Sequence, residues 1–180
     1  MKLKYVPNTL SVIRLLVVPL FVWLFLSGNI IVAIILFVFG GATDVIDGYI
    51  ARKFNCSSAL GKILDPLADK ALQLSAFVCL YIRDYIPLWM VIAYVAKELS
   101  TVIGALIIFK KSKFVVKSNY FGKLATVIVF AAVFVIALFK DSIGSVGVTV
   151  ICVLVALYFV FSISMYFKQD LIKVLKNKNQ

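Results

Sequence analysis

Apolar residues run through this chain in long blocks instead of the single stripes that mark the helices of a soluble protein. Six blocks stand out, at residues 10–26, 30–50, 63–82, 88–109, 121–139 and 143–167. Each comes near the ~20 apolar residues that carry a helix across the hydrocarbon of a bilayer. Polar or turn-forming residues punctuate them: Ser27-Gly28-Asn29, residues 52–62, residues 83–87, the lysine-rich 110–123, and 140–145. The pattern predicts an all-α membrane protein of six transmembrane helices, in a single domain covering residues 1–180. An amphipathic interfacial segment at residues 2–11, its regularity broken by Pro7, is expected to lead into the first span. Lys2 and Lys4 precede that span as they would in a signal peptide. Arg14 interrupts the block, however, and no clear small-residue cleavage site follows, so a retained helix is expected.

Composition sharpens this picture. The chain is 63% hydrophobic and 15% charged, with a mean hydropathy of +1.08, well above the apolar share of a soluble domain. Its net charge of +11 does not point to nucleic acid, because the basic residues gather in loops and tails and are not interleaved with aromatics along a polar face. Assigning the connections alternately puts Lys2, Lys4, Arg52, Lys53, Lys62, the lysines of 110–123 and those of 168–178 on one side. The other side receives little beyond Arg83 and Lys140, each beside an acid, Asp84 or Asp141. Positive loops stay cytoplasmic and lie against anionic headgroups. Both termini are therefore expected in the cytoplasm of a multi-pass cell-membrane protein, in contact with membrane lipids. There is no histidine, and Cys56, Cys79 and Cys152 are far apart in sequence, so neither a zinc site nor a disulfide framework is suggested. Acid–base chemistry near neutral pH falls to carboxylate, lysine, tyrosine or cysteine. Tyr5, Trp23 and Trp89 read as interfacial anchors.

The carboxylates are the anomaly. Of eight acidic residues, five (Asp44, Asp47, Asp65, Asp69 and Glu98) fall within or at the ends of apolar blocks. An aspartate at mid-membrane costs about 2.5–3.5 kcal/mol, so four left unpaired would cost on the order of 10 kcal/mol. Asp44 and Asp47 are three apart and share a helical face, and Asp65 and Asp69, four apart, share a face of the next helix. A hairpin of these helices would bring all four carboxylates together as oxygen ligands for Mg²⁺ or Mn²⁺, and two such ions bridged by carboxylates suit phosphoryl chemistry. The plainer alternative is a set of ion pairs with Arg52, Lys62 and Lys70. Gly48 and Ala51 lie close to the Asp44 and Asp47 face, where small residues admit a ligand to the backbone or let helices pack.

Together Asp44, Asp47, Gly48, Ala51, Arg52, Gly61, Asp65 and Asp69 fit D-x2-D-G-x2-A-R-x8-G-x3-D-x3-D without gap or substitution. This pattern closely resembles the signature of the CDP-alcohol phosphotransferases. Pro7-Asn8, Arg14, Pro19 and the run from Leu64 to Lys70 further resemble the phosphatidylglycerophosphate synthase branch. The resemblance implies a six-helix fold, usually a homodimer, with the active site open to the cytoplasmic half of the bilayer. It implies two divalent ions, Mg²⁺ or Mn²⁺, on Asp44, Asp47, Asp65 and Asp69, with Asp69 also the base for the acceptor hydroxyl. Gly48, Ala51, Arg52 and Gly61 are the implied CDP-binding positions. The implied reaction moves a phosphatidyl group from CDP-diacylglycerol to an alcohol, with glycerol 3-phosphate favoured, and releases CMP.

The sequence departs from that branch where the acceptor would bind. Lys97-Glu98 stands in place of an Arg-Glu pair, and Gly122-Lys123-Leu124-Ala125-Thr126 followed by Val129 replaces G-K-x-K-T-x-x-Q. Lys97 and Lys123 are candidates for the acceptor phosphate, or lysines that snorkel to the interface. Phosphatidylglycerol, inositol phosphate and serine are alternative acceptors. A small cation transporter lined by acids is the alternative of another class, although no inverted repeat is visible.

Overall fold

The computed structural model describes the backbone of residues 6–54, 61–112 and 120–178, and the side chains of residues 13–42, 67–104 and 124–165 together with Lys168. The described residues are helical, with no strands among them: α1 (Val6–Leu26), α2 (Ile30–Phe54), α3 (Gly61–Ile82), α4 (Leu88–Ser112) and α5 (Tyr120–Lys178). The helix starts and ends follow the punctuation. Pro7 lies in the first turn of α1, where its missing N–H forfeits no helical hydrogen bond. Residues 6–11, expected as a separate interfacial segment, instead run into α1 without a break.

Two helices end in the same way at one end of the bundle. Asn29 N–H donates to the Leu24 carbonyl (3.0 Å) and Gly28 N–H to that of Phe25 (3.3 Å), with Gly28 at φ 90°. At the end of α3, Tyr85 N–H donates to the Leu80 carbonyl (2.8 Å) and Asp84 N–H to that of Tyr81 (2.9 Å), with Asp84 at φ 55°. Both are left-handed caps that satisfy the last carbonyls of a helix. Glycine meets that backbone requirement without strain, and aspartate is among the few other residues that tolerate it. The Arg83 guanidinium ties the two ends together by donating to the Phe25 carbonyl at 3.0 Å.

The fifth helix doubles back on itself. At the capped end, Lys140 Nζ donates to the Asp84 carbonyl (3.2 Å) and lies 4.1 Å from the centre of the Tyr85 ring. Earlier in α5, Phe130 stacks on Phe37 of α2 (4.4 Å between ring centres), so this arm travels from the bundle interior toward that end. Continued straight, residues 140 to 159 would extend about 28 Å beyond it. Phe159 instead lies back against α4, 6.2 Å from the Tyr94 ring and 5.7 Å from Lys97 Nζ. The reversal is at Gly144 (φ 70°, ψ 174°), a backbone conformation essentially reserved for glycine. The two final apolar blocks are thus two arms of α5, parted by one residue rather than a loop. Among the described residues, the stretch Leu124–Met165 is long and apolar enough to cross a membrane, and Ile13–Leu26 and Ile30–Ala42 are apolar but shorter.

The core is aromatic and aliphatic, built on Phe21, Phe25 and Phe37 with Leu72, Leu80, Met90, Val133 and Cys152, all buried. Paired glycines let α2 sit close to its neighbours. A Cβ on Gly40 would fall 2.7 Å from Leu72 of α3, and one on Gly41 would fall 2.5 Å from the Phe130 ring of α5. The outside is apolar as well: Leu16, Trp23, Ile31, Ile35, Val146 and Val160 are all more than half exposed. Meanwhile Arg14, Gln73, Lys97 and Ser162 are buried. Among the described residues, an otherwise apolar core holding four polar side chains lies beneath an exterior more broadly apolar than that of a protein in water.

Candidate active site

Asp69 lies two turns into α3 and is partly buried. One turn further on, at the i+4 position that shares its face, Gln73 is 2% exposed and donates from Nε2 to Asp69 Oδ2 at 2.9 Å. From α4, the hydroxyl of Tyr94, itself 1% exposed, donates to Gln73 Oε1 at 3.2 Å. The Tyr94 ring stacks on Phe77 at 4.7 Å and meets Phe159 of the returning arm of α5. Three helical segments therefore fix a chain of hydrogen bonds that ends on the carboxylate.

A charged cluster adjoins it. Glu98 pairs with both Lys97 and Lys70, which joins α4 to α3. Lys97 is buried, and its ammonium also faces the Phe159 ring. Lys97 lies at i+3 from Tyr94 on α4 and pairs with its sequence neighbour Glu98. Glu98 gains two cations in a site where an isolated carboxylate would be costly.

The remaining signature residues are placed by their backbone alone. Asp44, Asp47, Gly48, Ala51 and Arg52 lie on α2, Gly61 and Asp65 on the first turns of α3, and Lys123 on the first turn of α5. Their side chains lie outside the described residues, as do residues 55–60 between α2 and α3. Both aspartate pairs do lie on continuous helix, so each pair shares a helical face as its spacing requires. Gln73 and Tyr94 escaped the sequence reading. The signal for Gln73 was present: it is the only glutamine outside the C-terminal tail, four residues beyond Asp69 in an otherwise apolar run. Tyr94 carried no such mark among eight tyrosines.

The described residues thus form a helical bundle with an apolar exterior and, inside it, a carboxylate beside a lysine–glutamate cluster. A family model for CDP-alcohol phosphatidyltransferase matches residues 4–164. The chain belongs to the CDP-alcohol phosphatidyltransferase family. It is 35% identical over 127 residues to a CMP-forming cardiolipin synthase of Streptomyces coelicolor, covering 67% of this chain and 59% of that one. It is 34% identical over 135 residues to a CDP-diacylglycerol–glycerol-3-phosphate 3-phosphatidyltransferase of Bacillus subtilis, covering 67% and 69%. It is also 40% identical over 92 residues to a cardiolipin synthase/mitochondrial hydrolase fusion protein of Schizosaccharomyces pombe, covering 51% of this chain and 16% of the fusion. The chain thus spans less than two thirds of the Streptomyces protein and a small part of the fusion. Family membership displaces the cation-transporter alternative.

Proposed function

We propose that this chain transfers the phosphatidyl group of CDP-diacylglycerol to the hydroxyl of glycerol 3-phosphate, forming phosphatidylglycerophosphate and releasing CMP. The observation that carries the reading is the Asp69 carboxylate, held by Gln73 inside a bundle whose sequence bears the complete eight-position signature. Asp69 offers carboxylate oxygens, one of them anchored by an amide N–H in the way that outer partners orient ligating carboxylates. That donor chemistry fits a hard divalent cation. Asp44, Asp47, Asp65 and Asp69 would hold Mg²⁺ or Mn²⁺, two ions per site, which supply charge neutralisation of the donor's pyrophosphate and of departing CMP.

The residues of the chain do the rest. Arg52 clamps a donor phosphate oxygen through paired hydrogen bonds, while Gly48, Ala51 and Gly61 leave room for the cytidine diphosphate against the backbone. Asp69 accepts the proton of the acceptor hydroxyl. The acceptor oxygen bonds to the lipid-bearing phosphorus as the bond from that phosphorus to the CMP oxygen breaks. Lys97 and Lys123 attract the phosphate of the acceptor. The apolar exterior and the cytoplasmic bias of the lysines support six spans, both arms of α5 counted, with termini and active site on the cytoplasmic side. A homodimer is the assembly that the resemblance implies.

A second reading, with phosphatidylglycerol as acceptor and cardiolipin as product, is favoured by the Streptomyces relative's name and by Val129. This residue occupies the position of the branch's glutamine and is buried in the apolar core, where it makes no polar contact with an acceptor. Incubating the purified protein with CDP-diacylglycerol and either glycerol 3-phosphate or phosphatidylglycerol, and identifying the lipid product, separates the two. Phosphatidylglycerophosphate from the first mixture alone supports the main reading, and cardiolipin from the second overturns it in favour of the other.

A further inference from the structure

An amide buried among apolar side chains is costly unless both its ends are hydrogen-bonded. Gln73 meets that condition in one orientation. With Nε2 toward Asp69 it donates to the carboxylate (2.9 Å), and its Oε1 accepts from Tyr94 (3.2 Å). Turned over, it would set a carbonyl oxygen against a carboxylate oxygen, two acceptors facing each other. The Tyr94 ring is stacked on Phe77 and flanked by Phe159, so its hydroxyl meets the amide from a fixed place on α4. The acceptor-only carboxylate thus sets which way round the amide lies, and the Tyr94 hydroxyl holds the amide in place from α4 against Asp69 Oδ2.

We infer that Tyr94 and Gln73 are positioning residues for the reaction, a relay in which the Tyr94 hydroxyl holds the Gln73 amide in place and the amide holds the Asp69 carboxylate in its working orientation. The inference rests on the proposed transferase reading. The relay also gives a role to a glutamine buried in an otherwise apolar stretch of α3. It further ties the carboxylate to the separation of α3 and α4, so that tilting α4 would turn the carboxylate without any change in α3.

The test uses the full chain purified in lipid nanodiscs, as wild type, Gln73→Leu, Tyr94→Phe and the double variant. Two quantities are read: acceptor-dependent CMP release, and Mn²⁺ affinity by electron paramagnetic resonance of the free ion. Gln73→Leu is expected to lower kcat and Mn²⁺ affinity by ~10- to 100-fold, the usual effect of losing a partner that orients a ligand, while KM for CDP-diacylglycerol stays near wild type. Tyr94→Phe keeps the ring stack and should lower the same two quantities in a smaller measure. The double variant should match Gln73→Leu, because Tyr94 acts only through the amide. Unchanged kcat and Mn²⁺ affinity in Gln73→Leu, or losses that add in the double variant, would overturn the relay. Should Gln73→Leu fail to fold, Tyr94→Phe decides alone: wild-type values for both quantities reject the inference. A wild type that neither releases CMP nor binds Mn²⁺ rejects the transferase reading, and the relay with it.

Discussion

In the proposed reaction Asp69 takes a proton as well as holding a cation, and the two duties are expected to separate on substitution. Asp69→Asn preserves shape, and its amide can still meet Gln73, but it has no basic oxygen for the acceptor's proton. Turnover should fall by about a hundredfold or more, the usual worth of a general base, with a much smaller loss in direct binding of CDP-diacylglycerol. Arg52→Ala should show the reverse bias, because a phosphate clamp acts on bound donor as well as on the transition state. The comparison is CMP release beside donor binding, in matched metal. Asp69 stood out in the sequence because a carboxylate in an apolar run is expensive and because it closes an eight-position pattern. What supports Asp69 was less legible. A lone glutamine in a helix shows no partner in sequence, and Tyr94 lies 21 residues away on another helix. The packing of Phe77 against Tyr94 brings the two into register.

At the scale of the helix, the apolar blocks foretold where each segment begins, since a run of aliphatic residues followed by Gly-Asn or by Arg-Asp-Tyr leaves few places to stop. Four of the predicted starts fall within a few residues of the observed ones, and α1 begins earlier because Pro7 suits a first turn. The return at Gly144 was less legible. Residues 140–145 read as a polar connection, yet helical backbone continues on both sides of a single glycine. That glycine has nothing within 4 Å of where a Cβ would stand, so the cost of replacing it lies in the backbone alone. Gly144→Ala is expected to destabilise the fold by about 1–3 kcal/mol, read as a lower thermal midpoint in detergent. Gly144→Asn should not recover it, since asparagine tolerates the ordinary left-handed region but not this extended one.

For the whole molecule, the apolar exterior and the lysine bias of the connections support the proposed membrane topology. In intact cells, a cysteine placed in the C-terminal tail of a Cys-free variant should react only with a membrane-permeant thiol reagent, and one at Ser142 should also react with an impermeant reagent. Labelling of the tail from outside would reverse the topology. The proposed reaction couples loss of CMP to esterification of an alcohol. The most direct measurement follows CMP and lipid product together, in nanodiscs supplied with CDP-diacylglycerol, Mg²⁺ and glycerol 3-phosphate. The expected result is one CMP released for each phosphatidylglycerophosphate formed, no release without the acceptor, and loss of both on chelation of the metal. CMP release with no alcohol acceptor, giving phosphatidic acid, or no release with any acceptor offered, would contradict it.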